Sequence, residues 1–290
     1  MDKLKIGLLG FGYWGKKIFQ TLKKIPECEI AVVCDKKAIP LDNKTLIFTD
    51  NYQDLLRMKL DGVIIATPNE SHFFLAFQFL SKGYNLFVEK PLATSFKEAE
   101  KLINLAEKRN LNLFTGHILL YHPLIATVKK ILKNKKNIEL KIKRTNKVSP
   151  FNKSQKEIIY DLLPHDIALL LYFFKKEPEI KEILLEKSLI KASFLLDNGI
   201  KISGIWGDEE DKERIITFLM EDKKIIFDGL ASALKLKENG KEKIIKSIDY
   251  QLPLFWELKY FLNSLKNKRI KEKIPTLKIM AILDKIEKLL

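Results

Sequence analysis

The sequence predicts a two-domain α/β fold: an N-terminal parallel sheet with helices between its strands, then an α+β domain with a large, mostly antiparallel, open sheet. In residues 1–118, short β-branched segments alternate with segments of helical length and spacing, the pattern of βαβ units. In residues 119–290, several strand-like segments follow one another without helices between them. This change of pattern predicts a domain boundary at residue 118, with domains 1–118 and 119–290.

The N-terminal elements follow from composition and periodicity. Six strands are predicted where short runs are apolar and β-branched: residues 4–9, 30–34, 45–48, 62–66, 85–88 and 112–115. Four helices are predicted between them, at residues 14–25, 52–58, 71–82 and 95–109. Asn69, Ser71 and Ser95 are N-cap candidates, because their short side chains can accept hydrogen bonds from the first helical amides.

The C-terminal half is predicted to contain four helices and seven strands. The helices are at residues 121–133, 157–174, 255–265 and 276–290. The strands are at residues 138–148, 180–185, 192–196, 201–206, 215–220, 224–227 and 234–237. Asp197, Asn198 and Gly199 favour a hairpin turn between two of these strands. Helices on one face of the sheet would leave the other face open.

Composition narrows the class of protein. With 290 residues and 46% hydrophobic residues, the chain can bury a sizeable core. Its apolar stretches are too short to cross a bilayer, and residues 1–6 carry charges where a signal peptide would be apolar. We therefore expect a cytoplasmic protein without membrane insertion. Cys28 and Cys34 lack metal-ligand spacing and are interpreted as buried thiols, so no metal site is predicted.

The net charge of +15 is uneven along the chain. Residues 1–118 carry 17 basic and 13 acidic side chains, so most of the excess lies in residues 119–290. A basic domain can attract an anionic substrate or a nucleic acid. The lysines are interspersed with glutamates, however, and no nucleic-acid-binding module is present. A lysine-rich solvated surface is the preferred interpretation, and no nucleic-acid partner is expected.

The glycine motif GFGYWG follows the first predicted strand and opens the first helix. Gly10 permits a tight turn, Gly12 removes a Cβ where a pyrophosphate would approach, and Gly15 allows close helix packing. The helix N-terminus then faces the phosphate charge. In this context the motif predicts a Rossmann dinucleotide-binding domain.

Asp35 ends the second predicted strand, 20 residues after Gly15. A carboxylate there can bond the hydroxyls of the adenosine ribose, which favours NAD over NADP because a 2′-phosphate would meet negative charge. The two lysines that follow soften this preference. Tyr13 and Trp14 are candidates for the wall of the phosphate site, and helix packing is an equal interpretation for Trp14.

Two loops and one helix carry residues suited to chemistry. Thr67 and Asn69 follow the fourth strand and Lys90 follows the fifth, at the sheet edge where open α/β sheets bind ligands. A lysine there can bond a substrate hydroxyl, although a loop lysine is more often solvated. Asp161 and His165 are four residues apart in an apolar helix and share a face. A helix-capping aspartate with a surface histidine would explain that spacing equally well.

Six segments together resemble the Gfo/Idh/MocA oxidoreductase family in order and spacing. They are GFGYWG, ATPNESH at residues 66–72, VEKPLATSFKEAEKL at 88–102, TGHILLYHP at 115–123, KRTN at 143–146 and DLLPHDI at 161–167. The resemblance spans about residues 4–175 and is greatest to the branch that acts on nucleotide-linked sugars, UDP-N-acetylglucosamine 3-dehydrogenases among them. It implies an NAD-dependent dehydrogenase that oxidises a secondary hydroxyl of a sugar, with a UDP-sugar as substrate.

The resemblance also implies roles for individual residues. Lys90 would contact the reacting hydroxyl and the nicotinamide, His165 would be the general base, and Asp161 would bond the sugar or orient His165. The nicotinamide side of the site would be lined by Thr67, Asn69, Glu89 and His117. His72 is interpreted as structural.

Further substrate-side residues are less clearly assigned. Tyr121 and His122 would contact substrate or core, without a preference between the two. Arg144 would bind a diphosphate or a carboxylate, or lie solvated on its strand. The chain is shorter than many relatives, and residues 148–156 (VSPFNKSQK) lack the glycine-containing substrate loop typical of the sugar-nucleotide branch.

Two alternatives are left open. In the first, the protein is a dehydrogenase whose substrate is a free polyol, an inositol or another small carbonyl compound. In the second, the protein binds the dinucleotide as a sensor and has no turnover. The open sheet predicts a homodimer or homotetramer, because such a face commonly forms an interface.

Overall fold

The computed structural model describes residues 3–37, 46–148, 154–197, 199–247, 252–267 and 271–290. The first sheet has six strands: β1 (Leu4–Leu9), β2 (Cys28–Cys34), β3 (Ile47–Thr49), β4 (Gly62–Ile65), β5 (Leu86–Val88) and β6 (Leu113–Thr115). Their order is β3-β2-β1-β4-β5-β6, and every pair is parallel. This is the doubly wound sheet that the alternating pattern predicts.

Four helices connect these strands: α1 (Tyr13–Leu22), α2 (Tyr52–Leu55), α3 (Asn69–Ser81) and α4 (Phe96–Lys108). Ser95 caps α4, since its side chain accepts from the Glu98 amide at 3.3 Å. The other two cap predictions are wrong. Helix α3 starts at Asn69 after Pro68, and Ser71 bonds backward to Thr67 Oγ1 at 2.7 Å. Cys28 and Cys34 are buried free thiols, as predicted, and burial raises the pKa of each to about 11.

The second sheet has eight strands: β7 (Glu139–Lys147), β8 (Glu179–Glu186), β9 (Leu189–Leu195), β10 (Lys201–Glu209), β11 (Glu213–Leu219), β12 (Lys223–Asp228), β13 (Ala233–Glu238) and β14 (Lys241–Lys246). Their order is β14-β13-β12-β11-β7-β10-β9-β8; β7 and β10 are parallel and the other pairs antiparallel. The mostly antiparallel sheet is confirmed. The predicted turn lies between β9 and β10, and Asn198 is outside the described residues.

Strand β14 was not predicted, because four of its six residues are charged. Among the described strands it pairs with β13 alone, at the edge of the sheet. Lysine-rich sequence is common in edge strands, since charge discourages a further strand from pairing.

Four helices complete the chain: α5 (Pro123–Leu132), α6 (Gln155–Phe174), α7 (Leu252–Lys266) and α8 (Thr276–Leu289). A 3₁₀ turn at Ile118–Tyr121 precedes α5. Ser154 and Glu157 form a capping box at the start of α6, each satisfying a backbone amide of the other. None of the helices within the described ranges has the length and apolarity to span a bilayer.

The chain forms two compact units. Each unit consists of two segments, and the segments of the two units alternate along the chain. Unit 1 comprises Met1–Ile118 and Gln251–Leu277, and unit 2 comprises Leu119–Tyr250 and Lys278–Leu290. This differs from the expected division into 1–118 and 119–290. The reason is that α7 buries its apolar face in the core of unit 1, where the Phe261 ring lies 5.7 Å from the rings of Phe87 and Phe114.

In unit 2, α6 packs on one face of the eight-stranded sheet, against β9 and β10. Side chains alternate along β7, with buried Leu140 and Ile142 on one face and the more exposed Lys141 and Lys143 on the other. The second face carries ion pairs, including Lys143 with Glu209 at 2.8 Å. This second face, called the open face below, therefore combines charged side chains with the half-buried Ile205 and Ile215.

Candidate active site

The glycine turn of unit 1 has the geometry that the motif requires. Gly10 has φ +90°, and a Cβ there would collide with the carbonyl of Ala66 on the neighbouring strand. A Cβ at Gly15 would collide with the Gly10 carbonyl, so α1 can approach the turn this closely only without a side chain. A Cβ at Gly12 would meet no atom of the described residues within 4 Å. The open space beside Gly12, at the N-terminus of α1, fits a bound pyrophosphate.

Asp35 follows β2 at the same edge of the sheet. Its carboxylate accepts hydrogen bonds from the backbone amides of Phe11 at 2.6 Å and Lys37 at 2.9 Å. These bonds hold the carboxylate beside the glycine turn, where an adenosine ribose would lie in this fold. Tyr13 is 73% exposed, whereas Trp14 packs against the core of unit 1. Helix packing is therefore the better interpretation for Trp14.

His72 links the loops that follow β4 and β5. Its side chain is fully buried, with Nε2 2.8 Å from the Thr67 carbonyl and Nδ1 2.7 Å from the Pro91 carbonyl. Burial lowers the pKa of this imidazole. These contacts support the structural interpretation of His72, since it ties the backbone on both sides of the candidate site.

Lys90 lies in a cluster of ionisable groups at the carboxyl ends of β5 and β6. The Lys90 amide donates to Glu89 Oε2 at 3.3 Å, and the Glu89 carboxylate lies against Gly116, where a Cβ would be 2.9 Å from Oε2. His117 follows Gly116 and is 5% exposed. The structure therefore brings Glu89, Lys90 and His117 together, as the resemblance implies for a nicotinamide site.

Glu257 on α7 is a fourth member of this cluster, and it was not predicted from the sequence. Its side chain is 2% exposed. Among the described residues, neither of its carboxyl oxygens has a hydrogen-bond partner, and the same holds for both ring nitrogens of His117. A lone glutamate in the apolar sequence LPLFWELKYFL is the one sequence signal that could have found it.

The pKa values in this cluster are shifted by burial. Burial raises the pKa of Glu89 to about 6, against the opposing charge of Lys90. It raises the pKa of Glu257 well above its ordinary value, and the negative charge of Glu89 adds to the rise. Burial, and then the Lys90 charge, lower the pKa of His117 to about 4. His117 is consequently neutral near pH 7.

In unit 2, Asp161 and His165 lie one turn apart on α6. Both are half-buried, while the three residues between them are buried. The two side chains therefore share the face of α6 that remains partly accessible, as their spacing predicts. A histidine in this position is a candidate proton acceptor.

Arg144 does not present its guanidinium to solvent. It is 6% exposed, and Nε and Nη2 each donate to the Asp166 carboxylate at 2.6 Å. Trp206 Nε1 donates to the same carboxylate at 2.8 Å. This buried bidentate pair supports a structural role for Arg144, in place of the expected anion binding or solvated strand position.

Arg214 is only half-buried, unlike Arg144, and is a candidate for anion binding. It lies beside Arg144 on the neighbouring strand β11. Its Nη1 donates to the carbonyls of Thr145 and Glu213, and Nη2 donates to Asn146 Oδ1 at 2.6 Å. Burial, and then the Arg144 charge, lower its pKa to about 10. The atoms that accept its hydrogen bonds are neutral, while the negative charges of Asp166 and Asp161 also act on it.

Tyr121 and His122 are adjacent in the chain but have different surroundings. Tyr121 is half-buried at the end of the 3₁₀ turn. His122 is 6% exposed, caps α5 by accepting from the Leu124 amide at 3.1 Å, and packs edge-on against Phe227 at 5.3 Å. His122 is therefore a core residue, and Tyr121 remains a substrate-side prediction. In the described ranges, no three His, Cys, Asp or Glu side chains are placed to hold a metal ion.

Comparison with known proteins identifies a family for the N-terminal part of the chain. Residues 4–117 match the Gfo/Idh/MocA model, described as an oxidoreductase family with an NAD-binding Rossmann fold. "Oxidoreductase P35" of Formosa agariphila is 27% identical over 230 residues, 71% of this chain and 70% of that protein. UDP-N-acetylglucosamine 3-dehydrogenase of Acidithiobacillus ferrooxidans is 29% identical over 185 residues, 61% of this chain and 56% of that enzyme.

A solved structure of UDP-N-acetylglucosamine 3-dehydrogenase from Acidithiobacillus ferrooxidans has the same fold over 99% of this chain and 97% of that one. The TM-score is 0.82 and the sequence identity 22%. The family match covers the glycine turn, Asp35, Lys90 and His117. Residues 4–117 therefore carry the NAD-binding Rossmann domain of the Gfo/Idh/MocA oxidoreductase family, and the relatives that match over a longer range are named as an oxidoreductase and a dehydrogenase.

Proposed function

We propose that the chain is an NAD-dependent dehydrogenase that oxidises a secondary hydroxyl of a sugar carried on UDP. The observation that carries the proposal is that one protein holds both sets of groups the reaction needs. The glycine turn, Asp35 and Lys90 lie at one edge of the sheet in unit 1, and Asp161 and His165 share the accessible face of α6 in unit 2. A protein that only bound the dinucleotide would need neither Lys90 nor His165.

Each group has a chemical role in this proposal. The bound coenzyme supplies the two-electron acceptor. Lys90 bonds the substrate oxygen and stabilises the negative charge that develops on it. His165 accepts the hydroxyl proton, and Asp161 orients His165 or bonds the sugar. The backbone around Gly12 holds the pyrophosphate.

The preference for NAD rests on Asp35. Its carboxylate is fixed by two backbone amides beside the glycine turn. A ribose diol can donate hydrogen bonds to a carboxylate, whereas the 2′-phosphate of NADP would be repelled. Replacing the charge at this position is accordingly expected to narrow the difference in affinity between the two coenzymes.

The UDP-sugar assignment has two supports. A relative 29% identical over 185 residues is a UDP-N-acetylglucosamine 3-dehydrogenase. Residues 119–290 carry most of the positive charge, and Arg214 in that region is held by neutral acceptors. An arginine so placed suits a diphosphate, because its planar fork matches phosphate oxygens.

Kinetics of two variants test the mechanism. Lys90→Ala and His165→Ala should each lower kcat with a UDP-sugar and NAD by about 10²–10⁴-fold. Lys82→Ala, at an exposed residue just after α3, is the matched control and should leave turnover unchanged. Full turnover by both active-site variants would refute the proposed roles.

Ligand-linked stability tests the substrate class. UDP and UDP-sugars should raise Tm in the presence of NAD, and free sugars should do so weakly. A rise in Tm with free polyols alone would refute the UDP-sugar substrate and favour the alternative in which the substrate is a free polyol. Saturable NAD binding without turnover on any alcohol would favour the dinucleotide-binding sensor.

We also propose that the chain self-associates through the open face of the eight-stranded sheet. Leu184 is 47% exposed on β8, and the half-buried Ile205 and Ile215 accompany the ion pairs of the central strands. Light scattering should give the mass of a dimer or tetramer at micromolar concentration. A monomer there would refute the proposal.

A further inference from the structure

The buried glutamate of α7 lies toward the edge of the sheet that carries Lys90. Near the C-terminal end of α7, the Ser264 carbonyl accepts from Asn112 Nδ2 at 2.9 Å, and Asn112 directly precedes β6. Phe261 packs against the middle residues of β5 and β6. Helix α7 therefore runs opposite to the strands, and Glu257, one turn before Phe261, lies toward their carboxyl ends.

Glu257 meets other ionisable groups there. The charges that act on it are those of Glu89, from the loop after β5, and Lys273, from the segment before α8, together with the backbone amide of His117. Lys90 acts in turn on Glu89 and His117. The imidazole of His117 is neutral near pH 7 because its pKa is about 4, so carboxyls and lysines set the charge of the cluster.

Two carboxylates in so buried a position cannot both be ionised at low cost. Each charge loses its hydration, and each disfavours the other. Lys90 offsets one negative charge, that of Glu89, whose oxygen also accepts the Lys90 amide. The His117 backbone amide acts on Glu257 and opposes the rise in its pKa, but neither carboxyl oxygen makes a hydrogen bond of normal geometry with the described residues that would stabilise a second negative charge. The favoured state is therefore a carboxylate and a carboxylic acid.

We propose that Glu89 and Glu257 hold one proton between them, and that the pair releases this proton to solvent when the positively charged ring of oxidised nicotinamide coenzyme binds beside Lys90. This inference rests on the coenzyme site of the proposed function. The step is a proton transfer: the O–H bond of one carboxyl breaks, and a water or buffer molecule forms a new bond to the proton. The added positive charge makes the second carboxylate favourable. The reduced ring is neutral, so the pair keeps its proton when NADH binds.

Calorimetric titration tests this without turnover. NAD⁺ is titrated into the protein at about pH 6, in two buffers of different ionisation enthalpy, and the difference in binding heat gives the protons released. We expect a net release with NAD⁺. NADH should release none, and neither should ADP-ribose, which lacks the nicotinamide ring.

Proton release on NAD⁺ binding also predicts how the affinities for NAD⁺ and NADH change with pH. The ratio of the NADH to the NAD⁺ Kd should rise between about pH 5 and about pH 8 in the wild type, by about tenfold for each unit by which the nicotinamide charge lowers the pKa of the pair. In Glu257→Gln the ratio should be flat over this range, because the amide mimics the protonated acid and cannot ionise.

Two further variants guard against a change that acts only through folding. Glu89→Gln removes the other carboxyl and should also abolish the release. Glu272→Gln alters another unit 1 carboxyl with a raised pKa, one that bonds Thr115 and Thr276, and should preserve it. NAD⁺ binding without proton release in the wild type, or unchanged release in Glu257→Gln, would overturn this inference and leave the proposed function standing. No NAD⁺ binding at all would overturn both.

Discussion

Two clusters of buried polar groups, one in each unit, differ in whether their atoms have hydrogen-bond partners. In unit 2, the Asp166 carboxylate is fully buried and receives three hydrogen bonds, two from Arg144 and one from Trp206. In unit 1, both oxygens of Glu257 and both ring nitrogens of His117 are buried without a hydrogen-bond partner in the described ranges. Buried polar groups are normally satisfied, so the first arrangement is typical of structural networks and the second needs a functional explanation.

The largest effect should come from breaking the satisfied network. Asp166→Ala leaves the Arg144 guanidinium buried without its counter-charge, which should lower the free energy of unfolding by about 3–5 kcal/mol. Urea unfolding followed by circular dichroism measures it. Glu186→Ala, which removes the exposed partner of Lys191 on the same sheet, should cost at most about 1 kcal/mol. Equal losses in the two variants would show that the buried network is not special.

Glu272 is intermediate between these two clusters, because it is hydrogen-bonded but has a raised pKa, and it should make the stability of the fold depend on pH. Glu272 accepts hydrogen bonds from Thr115 and Thr276, but burial raises its pKa from 4.5 to about 7. The folded state therefore binds more protons than the unfolded state between these values, so this group lowers stability as pH rises through the window and adds no further change above it.

Glu272→Gln should accordingly flatten the fall in stability between about pH 4.5 and about pH 7, by about 3 kcal/mol at most. Chemical unfolding at several pH values measures the slope. The difference in stability between wild type and variant isolates the contribution of Glu272. A difference that stays constant from about pH 4.5 to about pH 7 would contradict the assignment.

The smallest effect should have the opposite sign. Glu257→Met replaces an unpartnered buried carboxyl with an apolar side chain of similar length, and unfolding should become about 1–3 kcal/mol less favourable. The same variant should lose the coenzyme-linked proton release. A gain in stability with loss of function is the pattern of a functional site. A large loss of stability would mean instead that Glu257 has a structural partner.

Local patterns in the sequence predicted most of the fold. Alternating apolar segments predicted all six strands of unit 1, and the spacing of Asp161 and His165 predicted their shared face. The glycine motif predicted the strained turn at Gly10 and the close packing at Gly15. These features depend on residues near one another in the chain.

Features that depend on distant residues could not be predicted in this way. Helix α7 was recognised from its periodicity, but periodicity does not say which core its apolar face joins. Arg144 was given as an anion-binding or solvated residue because Asp166, its partner, lies on another element 22 positions later. Glu257 was missed because only the fold brings a residue so far along the chain to the loops after β5 and β6.

The return of α7 to unit 1 has a consequence for synthesis on the ribosome. The coenzyme-binding sheet is complete once residue 115 has been made, but the helix that covers Phe87 and Phe114 begins 137 residues later, at Leu252. Until α7 emerges, that apolar surface lacks its native cover, and the whole of β7 to β14 must be translated first. The nascent chain is therefore exposed to aggregation over this interval, and a fragment ending at residue 118 would carry the same exposed surface permanently.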